Sequence, residues 1–276
     1  MPGFTNEGNT CWMNATLQCL LHVPQLVNFV RDEMFAQSLV HKRKNACDFA
    51  SAFAELARKY WASGDVLSAA DAMEAFMRVH RSFRGKRHRH DAGEALLLCM
   101  DTLHAAMGNV QKIDDHPVPF EGRPEETDAW EKHADVAGHS PIADIFTGQR
   151  KVGNEYEQFT SLALDPHATV EKSFEGLEFT RLPLILVVTL KKTEDKQFVG
   201  YGDELVLHDA AFQVSYKLFA VLMHHGSSTE GHWTALAQNR GAWKHFDDAS
   251  ETAVEDLNNI IQKDAVVLLY KRMLEQ

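Results

Sequence analysis

The chain has 276 residues, 45% of them hydrophobic and 24% charged, with a formal net charge of -11. That length supports one large or two small domains with a sizeable core, and the acidic balance argues against nucleic acid and suits a partner with a basic face. No apolar run is long enough to span a bilayer, and the N-terminus lacks a basic region followed by an apolar stretch, so an intracellular protein, cytoplasmic or nuclear, is expected.

Residues 6–18 read Asn-Glu-Gly-Asn-Thr-Cys-Trp-Met-Asn-Ala-Thr-Leu-Gln. A polar turn becomes an amphipathic helix here. Asn9 and Thr10 are good N-cap types, Met13, Leu17, Leu20 and Leu21 recur at helical spacing, and Pro24 closes the run. A second helix is expected near 25–41. A third, near 46–62, carries Phe49, Phe53, Leu56 and Tyr60 and stops at Gly64. A fourth starts at Ser68 and places Met73, Phe76, Met77 and His80 on one side. A fifth runs from about Asp91, with Ala95, Leu96, Cys99, Leu103 and Met107 on one face and Gly108 as its stop. Residues 109–141 are polar and rich in Pro, Asp and Glu, and read as a long surface loop or insertion. After Phe146 the pattern turns to strands, at 149–156, 158–164, 184–191, 213–223, 232–238, 242–247 and 265–271, interrupted by a short helix near 170–177. Helices first and antiparallel strands afterwards make an α+β chain.

Cys11 falls in the first turn of its helix, where unpaired N–H groups and the macrodipole favour a thiolate. The polar, glycine-containing approach through Asn6, Gly8 and Asn9 is poor core material and good oxyanion-hole material. Cys19, Cys47 and Cys99 read as small buried hydrophobes, and the four cysteines show neither disulfide-framework density nor paired metal spacing. A base for Cys11 is offered far along the chain. Residues 231–248 read Gly-His-Trp-Thr-Ala-Leu-Ala-Gln-Asn-Arg-Gly-Ala-Trp-Lys-His-Phe-Asp-Asp. Two strands joined through Asn239-Arg240-Gly241 form a hairpin. Folding about that turn brings His232 opposite Asp247 and Asp248, within reach of an imidazole–carboxylate hydrogen bond. Successive strand residues point to opposite faces, so only one of the two aspartates can orient His232.

These two blocks resemble the cysteine and histidine boxes of the ubiquitin-specific proteases. The first matches Gly-Leu-x-Asn-x-Gly-Asn-Thr-Cys-Tyr-Met-Asn-Ser-x-Leu-Gln, with Gly3 and Phe4 leading into Asn6, and Trp12 in place of tyrosine. The second matches Gly-His-Tyr-x-Ala and then Trp-x-x-Phe-Asp-Asp, with Trp233 in place of tyrosine. His90-Asp91-Ala92-Gly93-Glu94 looks like the family's Gln-Gln-Asp-Ala-x-Glu segment, and 181–191 looks like the buried strand after its fingers. The resemblance implies a papain-like fold in one catalytic domain over 1–276: a helical thumb to about 108, the polar segment, and an antiparallel-sheet palm over 142–276. It implies Cys11 as nucleophile, His232 as base, Asp247 as the third triad member with Asp248 accessory, and Asn6 as a side-chain oxyanion donor. Asp91 and Glu94 would hold the basic tail of ubiquitin, with His225, in a His-x-Gly loop, and Trp233 also at the substrate. No cofactor is implied.

Two departures stand out. Arg89 occupies a position where the family usually has glutamine. The family also carries two Cys-x-x-Cys pairs in zinc-binding fingers between the segments matched by Phe146 and Leu184, whereas no cysteine follows residue 99. Fingers are therefore expected to be reduced or absent, with no structural zinc. The resulting expectation is a thiol-dependent deubiquitinase acting on ubiquitin and its conjugates. A protease for another ubiquitin-like modifier and a catalytically silent ubiquitin-binding module are the alternatives.

Overall fold

The computed structural model describes residues 1–84, 90–108, 123–164, 169–191, 198–208, 213–227 and 230–273. Its helices are α1 (Cys11–Leu21), α2 (Pro24–Arg31), α3 (Lys44–Ala62), α4 (Ala70–Val79), α5 (Ala92–Met107), α6 (Pro124–Ala137), α7 (Pro141–Phe146) and the one-turn α8 (Val170–Ser173). The strands are β1 (Gly148–Val152), β2 (Glu155–Phe159), β3 (Leu162–Leu164), β4 (Glu178–Arg181), β5 (Ile185–Leu190), β6 (Glu204–His208), β7 (Gln213–Gly226), β8 (Gly231–Asn239), β9 (Ala242–Asp247), β10 (Ser250–Val254) and β11 (Ala265–Arg272). A main sheet runs in the order β10-β9-β8-β7-β11-β5-β3, with β6 also paired to β7, and β2-β1-β4 form a small separate sheet. The arrangement is α+β, helices leading and a largely antiparallel sheet following, as expected. One pair, β3 with β5, is parallel.

The central strands of the main sheet are buried on both faces, and alternation along them divides their side chains between two cores. Ile185, Val187, Val267 and Leu269 pack with α1, α3 and α5. Leu186, Val188, Leu268 and Tyr270 join Phe159, Phe174, Phe179 and Trp243 on the other face. Double burial explains why β5 and β11 read as continuous apolar runs. α1 is the central helix. Apart from Cys11 it is buried all round, including Asn14, Thr16 and Gln18, rather than amphipathic as its sequence suggests. Its polar side chains have partners, as burial demands: Tyr60 Oη donates to Gln18 Oε1 at 2.6 Å, and Gln18 Nε2 donates to the Pro2 carbonyl at 3.0 Å.

Four expectations are corrected. The polar segment 109–141 is not a loop throughout. Residues 124–137 form α6, started by Pro124 at its first position and a capping box in which Glu126 accepts from the Arg123 backbone N–H at 2.8 Å; the rest of the segment up to 122 lies outside the described residues. The second helix stops at Arg31, and a 3₁₀ turn over Glu33–Ser38 follows it. Strands β4, β6 and β10 were not expected. They are 4 to 5 residues long, too short for periodicity to register. Finally, the single strand expected at 149–156 is a hairpin of β1 and β2 turning at Gly153, whose φ is 62°. These two strands and β4 fill the interval where the resemblance places the fingers.

Candidate active site

Cys11 is the first residue of α1 and is partly exposed, while Cys19, Cys47 and Cys99 are buried. Burial pushes the Cys11 thiol up, and the Asp248 charge adds to this, against backbone hydrogen bonds from Trp233, Trp12 and Cys11 itself that lower it. Burial therefore outweighs the helix terminus, and the thiol needs a base.

His232 is the second residue of β8, and its Nε2 lies 2.6 Å from Asp247 Oδ1 at the end of β9. With Nε2–H donating to the carboxylate, Nδ1 is the nitrogen left to accept a proton. The hairpin turns on two residues, Arg240 and Gly241, both at positive φ (50° and 87°), with Asn239 paired to Ala242. That register runs out at Ala235–Phe246. His232 therefore reaches Asp247 diagonally past the end of the ladder, rather than from directly opposite.

Asp248 leaves the strand with φ 49°. Its Oδ2 accepts from Asn6 Nδ2 at 2.8 Å, its Oδ1 from Asn14 Nδ2 at 2.8 Å, and its carbonyl from the Phe4 N–H at 2.8 Å. The other end of the Asn6 amide is fixed too. Asn6 Oδ1 accepts from the N–H groups of Gly8 and Thr10 at 3.0 and 3.3 Å, through a turn with Gly8 and Asn9 at positive φ. These bonds set the amide's orientation and leave its second N–H to point elsewhere. Gly3 is required by the close approach of this junction, since a Cβ there would sit 2.4 Å from the Asp248 carbonyl oxygen.

Asn6, Cys11, Trp12, His225, His232 and Trp233 line one cleft of about 460 Å³. A second cavity of about 440 Å³, lined by Asp91, Glu94, Leu97, His224 and Val266, shares His90, Gly231 and Trp233 with the first. Together they make a channel between α5 and the sheet that ends at Cys11. Asp91 is the N-cap of α5, its Oδ1 accepting from the Glu94 N–H at 2.9 Å, and both side chains are exposed. Trp233 is buried beneath the His224 ring, centroids 4.5 Å apart. His225 opposes His232 across β7 and β8 and is bonded on both ring nitrogens, to Asp264 Oδ2 at 3.1 Å and Thr234 Oγ1 at 2.8 Å.

The structure thus gathers Cys11, Asn6, His232, Asp247 and Asp248 in one place, with Asp91, Glu94, His225 and Trp233 along the approach. Arg89 lies outside the described residues. Among the described residues, His232, Asp247 and Asp248 are the one set of three whose ligand atoms lie within 4.8 Å of one another, and their acceptors are already engaged by His232, Asn6 and Asn14. Sequence reasoning assigned no role to Asn14. Its spacing three residues after Cys11, one turn along the same helix, was the available signal.

A cysteine on a buried helix, facing a histidine–aspartate pair across a cleft between helices and an antiparallel sheet, defines the papain-like cysteine-peptidase class. Within it, the sequence model described as ubiquitin carboxyl-terminal hydrolase matches residues 2–270, and the chain belongs to that family. Human ubiquitin carboxyl-terminal hydrolase 2 is 25% identical over 339 residues, covering 98% of this chain and 55% of that protein. Arabidopsis thaliana putative ubiquitin carboxyl-terminal hydrolase 11 is 32% identical over 211 residues, covering 74% of this chain and 22% of that protein. The chain therefore spans about half the length of the human relative or less of the others. Among solved structures, the Ubp8-containing SAGA DUB module superposes with a TM-score of 0.72 at 17% identity, covering 100% of this chain and 68% of that one. The same module bound to ubiquitin aldehyde gives 0.72 at 14% identity, covering 100% and 70%. At those identities the likeness concerns the fold. No helix among the described residues is long and apolar enough to cross a membrane.

Proposed function

We propose that this chain is a deubiquitinating cysteine protease that hydrolyses the bond after the C-terminal glycine of ubiquitin in conjugates. The observation that carries the reading is the convergence of Cys11, Asn6 and His232 on one cleft, with Nε2 of His232 held 2.6 Å from Asp247. The modifier tail runs along the channel past Asp91, Glu94 and Trp233. Nδ1 of His232 takes the Cys11 proton as sulfur attacks the glycine carbonyl. The tetrahedral oxyanion is met by the free N–H of the Asn6 amide and by backbone N–H groups at Cys11. The C–N bond then breaks, His232 gives its proton to the leaving lysine amine, and a thioester remains on Cys11. Water attacks that carbonyl with His232 again taking the proton, the C–S bond breaks, and the thiol is restored. Asp247 orients His232, and Asp248 positions Asn6.

An intracellular setting, cytoplasmic or nuclear, suits a free thiol nucleophile and four unpaired cysteines. A complete nucleophile–base–carboxylate set counts against a silent binding module. The test is labelling with ubiquitin bearing a C-terminal electrophile, read by intact mass and peptide mapping. A single adduct on Cys11 is expected. An adduct on Cys19, Cys47 or Cys99 sinks the nucleophile assignment, and labelling by another ubiquitin-like modifier but not by ubiquitin sinks the substrate assignment.

A further inference from the structure

The two ends of β8 are held differently. From Ala235 to Asn239 the strand is in register with β9, whereas Gly231 to Thr234 are paired with β7 and lie past the point where the β9 register runs out. His232 stands on that second stretch. Its Nε2 nevertheless lies 2.6 Å from Asp247 Oδ1 on β9. The placement of the catalytic pair therefore depends on how firmly the tip of β7 is fixed.

His225 fixes it. His225 is directly opposite His232, and Thr234 follows two residues on, so alternation puts the three side chains on one face of the sheet. The neighbouring pair, His224 and Trp233, lies on the other face and lines the tail channel, as His225 does not. A carboxylate only accepts, so His225 Nδ1–H donates to Asp264 Oδ2 at 3.1 Å. In the neutral ring Nε2 then accepts from the Thr234 hydroxyl at 2.8 Å, and Thr234 is buried. Asp264 is the residue before β11, and its carbonyl also accepts from the His224 N–H at 2.8 Å. One row of side chains, Asp264–His225–Thr234, thus crosses from the start of β11 over the tip of β7 to β8, three adjacent strands of the sheet.

We propose, resting on the protease reading above, that His225 is a positioning residue for His232. With Asp264 and Thr234 it holds the end of β8 so that the His232 ring stays within reach of both Asp247 and Cys11. Each nitrogen of the His225 ring is used within the fold, so His225 adds nothing to the affinity for a modifier. That separates it from the substrate contact which the resemblance implies, and it places the effect of His225 in the chemical steps alone.

Alkylation of Cys11 by iodoacetamide, followed by peptide mapping, needs no modifier and reports how well His232 serves the thiol. His232→Ala is expected to slow it. His225→Ala, and Thr234→Val, which removes the hydroxyl and keeps the shape, are each expected to slow it about tenfold where His232 is present. In the His232→Ala background each should slow it by less than about twofold, because both act through that one ring. On ubiquitin carrying a C-terminal fluorogenic amide, the same two variants should lose about tenfold in kcat at unchanged KM. Equal slowing of alkylation in both backgrounds, or none in either variant, overturns the positioning role. A raised KM with normal kcat makes His225 a substrate contact instead. If His232→Ala leaves alkylation unchanged, His232 is not the base and the positioning role falls with it. If alkylation depends on His232 and wild type cleaves no ubiquitin amide, it is the substrate assignment that has failed, and the two-background comparison still decides the role of His225.

Discussion

Asn6 and Asp248, 242 residues apart in the chain, are joined by a 2.8 Å hydrogen bond from Nδ2 to Oδ2. In the proposed mechanism the bond gives Asp248 a purpose distinct from that of its neighbour Asp247: it aims the amide that would face the oxyanion. Removing an oxyanion donor costs on the order of 100- to 1,000-fold in kcat, so Asn6→Ala is expected to lose that much with little change in KM. Asp248→Ala should lose a comparable factor, and the double variant should be no worse than the poorer single one, because both act on one group. Additive losses in steady-state kinetics would separate Asp248 from Asn6.

In the same proposal Asp247 acts through His232 instead. Asp247→Asn retains an oxygen that can accept from Nε2–H, whereas Asp247→Ala retains none. The expected order of kcat/KM is wild type, then Asn, then Ala. Combining Asp247→Ala with Asn6→Ala should multiply the two losses. Equal activity of the Asn and Ala variants would show that orientation of His232 does not depend on this bond.

Gly231 precedes His232 and lies under the His224 ring, where an added Cβ would come within 1.8 Å of Nε2. Gly231→Ala should therefore lower kcat/KM by displacing the ring or the start of β8. Deleting the obstructing ring in Gly231→Ala/His224→Ala should recover part of that loss. A double variant less active than Gly231→Ala would mean that the His224 ring is needed for more than packing.

The capping role of Asp91 and its proposed role in holding the tail can be separated by substitution. Asp91→Ala removes both an N-cap, worth about 1 kcal/mol of stability, and a negative charge at the channel. Asp91→Asn keeps an oxygen to cap Glu94 and removes only the charge. Both variants are expected to raise KM for a ubiquitin substrate, while only Asp91→Ala lowers the melting temperature appreciably. A normal KM in Asp91→Asn would reduce Asp91 to a capping residue.

His22 gives the fold a predictable weakness to acid. It is fully buried among the rings of Tyr60, Trp61 and Phe246, with Nδ1 donating to the Gln18 carbonyl at 2.7 Å, and burial lowers its pKa from 6.5 to about 4. Above pH 6.5 the residue is neutral whether folded or unfolded and has no effect. Between pH 6.5 and 4 the unfolded chain binds a proton that the folded one does not, so stability falls with pH, by on the order of 3 kcal/mol in all. Urea midpoints measured across that range should fall more steeply for wild type than for His22→Phe. Parallel slopes would exclude His22 as the source.

Much of this was legible in the sequence because the chemistry sits in short contiguous blocks. Asn6 to Cys11 is a turn and a helix start, and His232 to Asp247 spans a single hairpin with a recognisable Arg-Gly turn. Local spacing sufficed to pair them. The link between the blocks was not legible, because the bonds from Asp248 to Asn6, Asn14 and Phe4 depend on where the N-terminal segment crosses the palm. α6 was missed because its residues are polar nearly all round, leaving only its capping box and Pro124 as signals. The balance at the Cys11 thiol was only half legible for a related reason: the helix terminus can be read from sequence, but the burial that opposes it cannot.

The position of β11 bears on how the protein comes into being. This last of the described strands is not at an edge. It lies between β7 and β5, pairing with both. During synthesis the sheet therefore stays split until residues 265–272 emerge, some 250 residues after Cys11 has left the ribosome. The proposed triad therefore cannot be held on a finished sheet before then. Delayed assembly of this kind would keep the proposed protease silent until β11 has been made.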